Sequence, residues 1–254
     1  MSGINPIPED TTNALLKPIA QSIGGSAGTI LQAGANLILS PLRKYNIRKD
    51  QELKDYANNI KNRIDEIPIK NRDDSKTGLI IKAIDDSKYR LNEPLMRDAF
   101  SRLIAKGLDN RVNANFYPSY SEILSNMSAL EAELLKIIYD NNGHLVATQT
   151  LIAEDTDGAQ RPILPKAFLF DSAFDNSGKY NIAQDLLVKS GVISSIENAF
   201  LTNEYFKNQY SEFELPYKNI DYKLGFLKDN EHLAFKKGYL QFTNLGNSFT
   251  EFII

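Results

Sequence analysis

The chain has 254 residues, enough to bury a sizeable core in one large domain or two smaller ones closely joined. It contains no cysteine, which excludes disulfides and thiolate metal sites and fits a reducing compartment. The formal net charge of −3 is unevenly spread: 18 basic and 15 acidic residues run through Met127, then 11 basic and 17 acidic follow, and this excess of carboxylates argues against a strong DNA-binding surface in the second half.

In chain order, Met1 to Asp10 lack the basic start and compact apolar run of a secretory signal, so the cytoplasm is the expected location. Pro18 to Leu42 is a stretch of 25 residues without a formal charge, bracketed by Lys17 and Arg43. That length would cross a bilayer. Ala20, Gly24 and Gly28 lie four apart, so on a helix they share a face and allow close backbone approach. Gln21, Ser22, Ser26, Thr29, Gln32, Asn36 and Ser40 make the stretch too polar for a ready span, and two helices joined at Gly24 and Gly25 fit better. Beyond that joint Leu31, Ala35, Ile38, Leu42 and Tyr45 alternate by four and three residues and form one apolar stripe. The candidate membrane or oligomer interface is therefore Ala20, Gly24, Gly28, Leu31, Ala35, Ile38 and Leu42.

Leu53, Ala57, Ile60, Ile64 and Ile67 repeat the same spacing, which predicts the second arm of a helical hairpin, ended by Pro68. Leu79, Ile80, Ala83 and Ile84 predict a short buried helix. Asn92 can cap the next, which has Pro94 in its first turn, Leu95, Met96, Ala99, Phe100, Leu103 and Ile104 at helical spacing, and Gly107 near its end. A further short helix carries Tyr120, Ile123 and Leu124.

Ser128 and Glu131 stand in capping-box spacing ahead of Leu130, Leu134, Leu135 and Ile138, and Asn141, Asn142 and Gly143 stop that helix. Thr150 to Asn176 shows no clear period, as strands or loop would. A helix over Tyr180 to Lys189 is expected to turn Ile182, Leu186 and Leu187 inward and to end at Gly191. Lys236, Lys237 and Gly238 read as a turn before a strand through Tyr239 to Phe242, and Phe249, Phe252 and Ile253 lie on a closing helix. The expected fold is mainly α, with an N-terminal helical hairpin and helical middle over residues 1–127 and a C-terminal winged-helix-like α+β module over residues 128–254. Such a module by itself says nothing of DNA.

Chemical motifs are sparse. Gly24, Gly25, Ser26, Ala27 and Gly28 match G-x-S-x-G in letters, but a nucleophile elbow needs a buried strand before it, and this context is helical. His144 and His232 are the only histidines and neither has a second ligand at helical or hairpin spacing. The acidic pairs Asp73 with Asp74 and Asp85 with Asp86, and the group Glu154, Asp155 and Asp157, sit on polar connections where solvation is the ordinary state. No glycine-rich loop precedes a Lys and a Ser or Thr, so no phosphate cradle of that kind is present. From Arg43 to Arg111, 17 basic residues face 12 acidic ones, mixed in sign along the helices as on a solvated face with salt pairs. Phe116, Tyr117 and Tyr120 read as core. No catalytic constellation, metal site or cofactor is implied.

These residues resemble the abortive-infection alpha family, Abi-alpha, whose members are bacterial proteins linked to phage defence. The resemblance covers most of the chain and rests on Leu37 to Leu42 (LILSPL), Glu93 to Leu108 (EPLMRDAFSRLIAKGL), Tyr117 to Leu135 (YPSYSEILSNMSALEAELL) and Phe242 to Phe252 (FTNLGNSFTEF). The family pattern has a histidine before the proline of the third motif; this chain has Tyr117 before Pro118, so no role tied to that histidine carries over. The resemblance implies a part in limiting phage infection and supplies no catalytic residues. The expectation is an abortive-infection protein that acts by binding or assembly and is not an enzyme. A protein partner from phage or host is expected, with a homo-oligomer or a membrane as further partners and nucleic acid ranked below them. The rival mechanisms are a membrane-perturbing effector using segment 18–42 and a nucleic-acid-binding regulator.

Overall fold

A computed structural model describes residues 47–170, 173–218 and 227–254. Segment 18–42, with all seven positions of the candidate membrane or oligomer interface and the first arm of the expected hairpin, lies outside the described residues. The chain divides into two compact units: the first ends at Met127 and also takes in Ser248–Ile254, and the second is Ser128–Asn247.

In the first unit, α1 (Ile47–Asp65), α2 (Thr77–Ser87), α3 (Pro94–Gly107) and α4 (Ser119–Asn126) follow one another in sequence. The apolar spacing read in the sequence sets which faces are inward: Ala57, Ile60, Ile64 and Ile67 are buried, as are Ile80, Ala83 and Ile84 on α2. α3 packs against α1, α2 and α4, and its Met96, Phe100, Leu103 and Ile104 are almost wholly enclosed. Pro94 does stand in the first turn of α3, where its missing amide hydrogen costs nothing, but the residue before it is Glu93 and no side chain caps the helix. The last residues of the chain complete this core. The Phe252 ring lies 5.6 Å from Phe116 and 5.3 Å from Tyr120, Phe249 meets Tyr120 at 5.5 Å, and the Tyr120 hydroxyl donates to Ser248 Oγ at 2.6 Å. Tyr117, grouped with these rings in the sequence, is half exposed.

The second unit overturns the mainly α, winged-helix-like expectation. After α5 (Ala129–Asp140) come β1 (Leu145–Asp155), β2 (Gln160–Pro162), β3 (Ala167–Leu169), β4 (Phe174–Asp175), α6 (Asn181–Lys189), β5 (Ile193–Glu197), α7 (Glu204–Lys218), β6 (Glu231–Phe242) and α8 (Asn244–Ile253). The strands make one antiparallel six-stranded sheet in the order β4-β3-β1-β6-β5, with β2 also paired to β1. With eight α-helices and this sheet among the described residues, the fold is mixed α/β. β1 and β6 pair without interruption from Leu145 opposite Gln241 to Asp155 opposite Glu231, a central ladder far larger than the short hairpin of a winged helix.

The physical reason for the missed sheet is burial on both faces. Val146 to Gln149 and Leu151 to Ala153 are all buried on β1, so the strand lacks the apolar-polar alternation that identifies a strand with one wet face. Side chains still alternate between faces. Phe206, Tyr210 and Phe213 of α7 cover Ala147, Ala167 and Leu169 on one face, while Phe168, of opposite parity, meets Tyr180 at the start of α6 at 5.7 Å.

Two local expectations are also corrected. Lys236, Lys237 and Gly238 are not a turn but the middle of β6. Gly238 is needed there because a Cβ would come within 2.5 Å of the Ile196 carbonyl oxygen on β5 and 2.9 Å of Thr148 Oγ1 on β1. On α6 the buried stripe is Tyr180, Ala183, Gln184 and Leu187, at helical spacing; of the three residues expected inward only Leu187 is, while Ile182 is 73% exposed and Leu186 39% exposed. Gly191, at φ +75°, ends that helix as the sequence predicted.

Candidate anion-binding site

The most chemically distinctive place among the described residues is an open basin of about 240 Å³ in the first unit, lined by Arg63, Glu66, Ile67, Arg102, Ala105, Lys106, Asp109 and Arg111. Arg63 comes from the last turn of α1, and Glu66 and Ile67 from the residues that follow it. Arg102, Ala105 and Lys106 share one face of α3 by their three- and four-residue spacing, and Asp109 and Arg111 belong to the connection that leaves it.

Most of the charges hold one another. Asp98, one turn before Arg102 on α3, accepts from Arg102 Nε at 2.9 Å and from Arg63 Nη2. Burial pushes the Asp98 carboxyl up, but the hydrogen bonds from Arg102 and Arg63 outweigh it and leave the group below the usual carboxylate range. Arg63 Nε also donates to Ser101 Oγ at 3.1 Å, and Arg102 Nη1 to the main-chain oxygen of Ile254. Asp109 accepts from Arg111 Nε at 2.8 and 3.0 Å, and this guanidinium is the main cause of its lowered pKa. Glu66 is exposed, with no ion pair among the described residues.

Lys106 is the exception among the cations of the basin. Its ammonium donates to the main-chain oxygen of Glu251 and makes no ion pair with a carboxylate among the described residues. Burial, and then the charges of Arg102 and Arg63, hold its pKa below the usual lysine range, with Glu251 pulling weakly the other way. Arg102 and Lys106 are moreover like charges at i and i+4, a pairing that costs a helix a few tenths of a kcal/mol.

The sequence pointed elsewhere. The stretch from Arg43 to Arg111 reads as a mixed solvated face, and only the four-residue step from Arg102 to Lys106 hinted at a cluster; Arg63 and Arg111 join it through packing that no local spacing shows. His144 stacks on Tyr139 with ring centres 4.9 Å apart, and His232 lies exposed beside Glu154. Asp85 pairs with Lys88 and Asp86 with Lys82, while Asp73 accepts from Ser75 and Asn113 and Asp155 from the amides of Asp157 and Ala159. Among the described residues no group of three or more His, Cys, Asp or Glu is placed to hold a metal ion, and no helix is long and apolar enough to cross a membrane.

No curated protein and no solved structure matches the chain. A family model, abortive infection alpha, matches residues 48–253. Three of the four stretches that carried the resemblance, Glu93 to Leu108, Tyr117 to Leu135 and Phe242 to Phe252, fall inside that match, and Leu37 to Leu42 precedes it. The matched region takes in both the helical core with its basin and the sheet, and by it the chain belongs to the abortive infection alpha family, a membership that points to a role in abortive infection.

Proposed function

We propose that the chain serves abortive infection as an interaction protein, contacting a protein of the phage or the host without making or breaking a covalent bond. The observation that carries this reading is the outward face of α6. Ile182, 73% exposed, and Leu186, 39% exposed, lie one turn apart on a helix whose opposite stripe is already buried against the sheet. Apolar side chains left in water at i and i+4 match the anchor spacing with which a helix face meets a protein partner. The chemistry of the basin is consistent with it, since apart from the exposed Glu66 its ionisable groups are engaged in ion pairs and main-chain hydrogen bonds.

The test is a double substitution, Ile182→Asp with Leu186→Asp. Ile182 stands in solvent while Leu186 is more than half covered, so circular dichroism should match the parent and thermal unfolding should show a loss of only about 1–2 kcal/mol. In a host challenged with phage, the variant is expected to lose protection by at least ten-fold in plaque number. Full protection from a folded variant would remove α6 as the contact surface.

A further inference from the structure

We propose that the basin of the first unit is a binding site for a phosphoryl group, carried by a small phosphomonoester. This site is separate from the α6 surface and does not depend on it. Three guanidiniums and one ammonium line it: Arg63, Arg102 and Arg111 with Lys106. The guanidiniums are already held by Asp98 and Asp109 and add to the positive field, so the Lys106 ammonium is the cation that a phosphoryl oxygen would meet without an ion pair.

The opposing groups define how much charge is left over. Asp98 is shared by Arg63 and Arg102, and Asp109 is taken by Arg111. The carboxylate that stands at the rim without an ion pair among the described residues is Glu66, and Glu251 offers Lys106 a main-chain oxygen. Lys106 is therefore half enclosed, flanked by two cations and without a carboxylate of its own. An incoming anion relieves that arrangement by giving Lys106 the counter-charge that its neighbours lack. The size of the basin, about 240 Å³, leaves room beyond the phosphoryl group, and Ile67 and Ala105 supply an apolar part of the wall for what the group is attached to.

The test uses the full chain and calorimetric titration at pH 7.5 with five probes: adenosine 5′-monophosphate, inorganic phosphate, sulfate, adenosine, and a short single-stranded RNA without terminal phosphates. Adenosine monophosphate and phosphate are both expected to bind, the monophosphate more tightly because Ile67 and Ala105 face its attached group, and tighter binding of free phosphate overturns the monoester. Adenosine and sulfate should bind at least ten-fold more weakly than the monophosphate, because one lacks the charge and the other, the anion of a much stronger acid, is a poorer hydrogen-bond acceptor and lacks the attached group. Lys106→Met should weaken phosphate binding about ten-fold or more, the loss of one charge-assisted contact. Glu66→Gln, at an exposed rim position that carries no packing, should strengthen it about five-fold by removing a repelling charge. A merely structural lysine would lower the melting temperature when replaced and leave Glu66→Gln without effect on binding. The proposal fails if neither phosphate nor monophosphate binds, if sulfate or adenosine binds equally well, if Glu66→Gln does not tighten binding, or if the RNA binds more tightly than the monophosphate.

Discussion

Glu231 opens β6 with a side chain only 6% exposed, and Arg161 of β2 grips it from both sides, Nε to Oε1 at 2.9 Å and Nη2 to Oε2 at 2.6 Å. The Lys228 amide donates to it as well, and together these hold the carboxyl down at about 2, from an ordinary value of 4.5. A carboxyl lowered in the folded state contributes stability above its unfolded pKa, and that contribution fades as the pH falls toward the folded value. Arg161→Met is therefore expected to melt below the parent at pH 7, with the gap narrowing under about pH 4.5 and closing near pH 2. A gap that stays constant across this range in thermal unfolding would mean that Arg161 acts by packing and not by charge. Single residues also show how far sequence reading goes. Gly238 reads as a turn glycine in the sequence, yet it and the helical Gly246 are each required by the close passage of another segment: at Gly246 a Cβ would lie within 1.9 Å of the Val192 carbonyl oxygen. Nothing in the neighbouring residues announces a partner more than forty positions away.

At the scale of elements, legibility depended on whether the signal is local. The capping box of α5 is formed as read: Ser128 Oγ accepts from the Glu131 amide at 3.2 Å, and Glu131 returns a bond to the Ser128 amide at 2.8 Å. Ser128→Ala should cost about 1 kcal/mol in urea unfolding, with faster hydrogen exchange confined to the first turn of α5. A cost near zero would show that Glu131, itself buried, holds the helix start without it. In α6 a helix over Tyr180 to Lys189 is present, but its inward face is set by the sheet beneath it: the less apolar Ala183 and Gln184 are buried with Leu187, while the more apolar Ile182 and Leu186 face outward. The sheet was missed for the opposite reason. β1 is so evenly buried that it has no alternation to detect, and its identity depends on β6, which follows it by some eighty residues.

For the whole molecule, the first unit is closed by residues from the far end of the chain. Phe252 is 2% exposed between Phe116 and Tyr120, so Phe252→Ala should remove about 3–5 kcal/mol from the unfolding free energy in denaturant titration. A loss under 1 kcal/mol would mean that the last helix leans on this core without belonging to it. The sequence by itself determined the described helices of the first unit, most of their inward faces though not that of Leu95, which is 62% exposed, the capping box and the family, because each of these is written in spacings of a few residues or in the order of motifs along the chain. Only the tertiary structure decided the six-stranded sheet, the outward turn of Ile182 and Leu186, and the meeting of Arg63, Arg102, Lys106 and Arg111 around one basin. Strand pairing and charge convergence are relations between distant segments, fixed by which surfaces can be buried together, and no local pattern of residues encodes them.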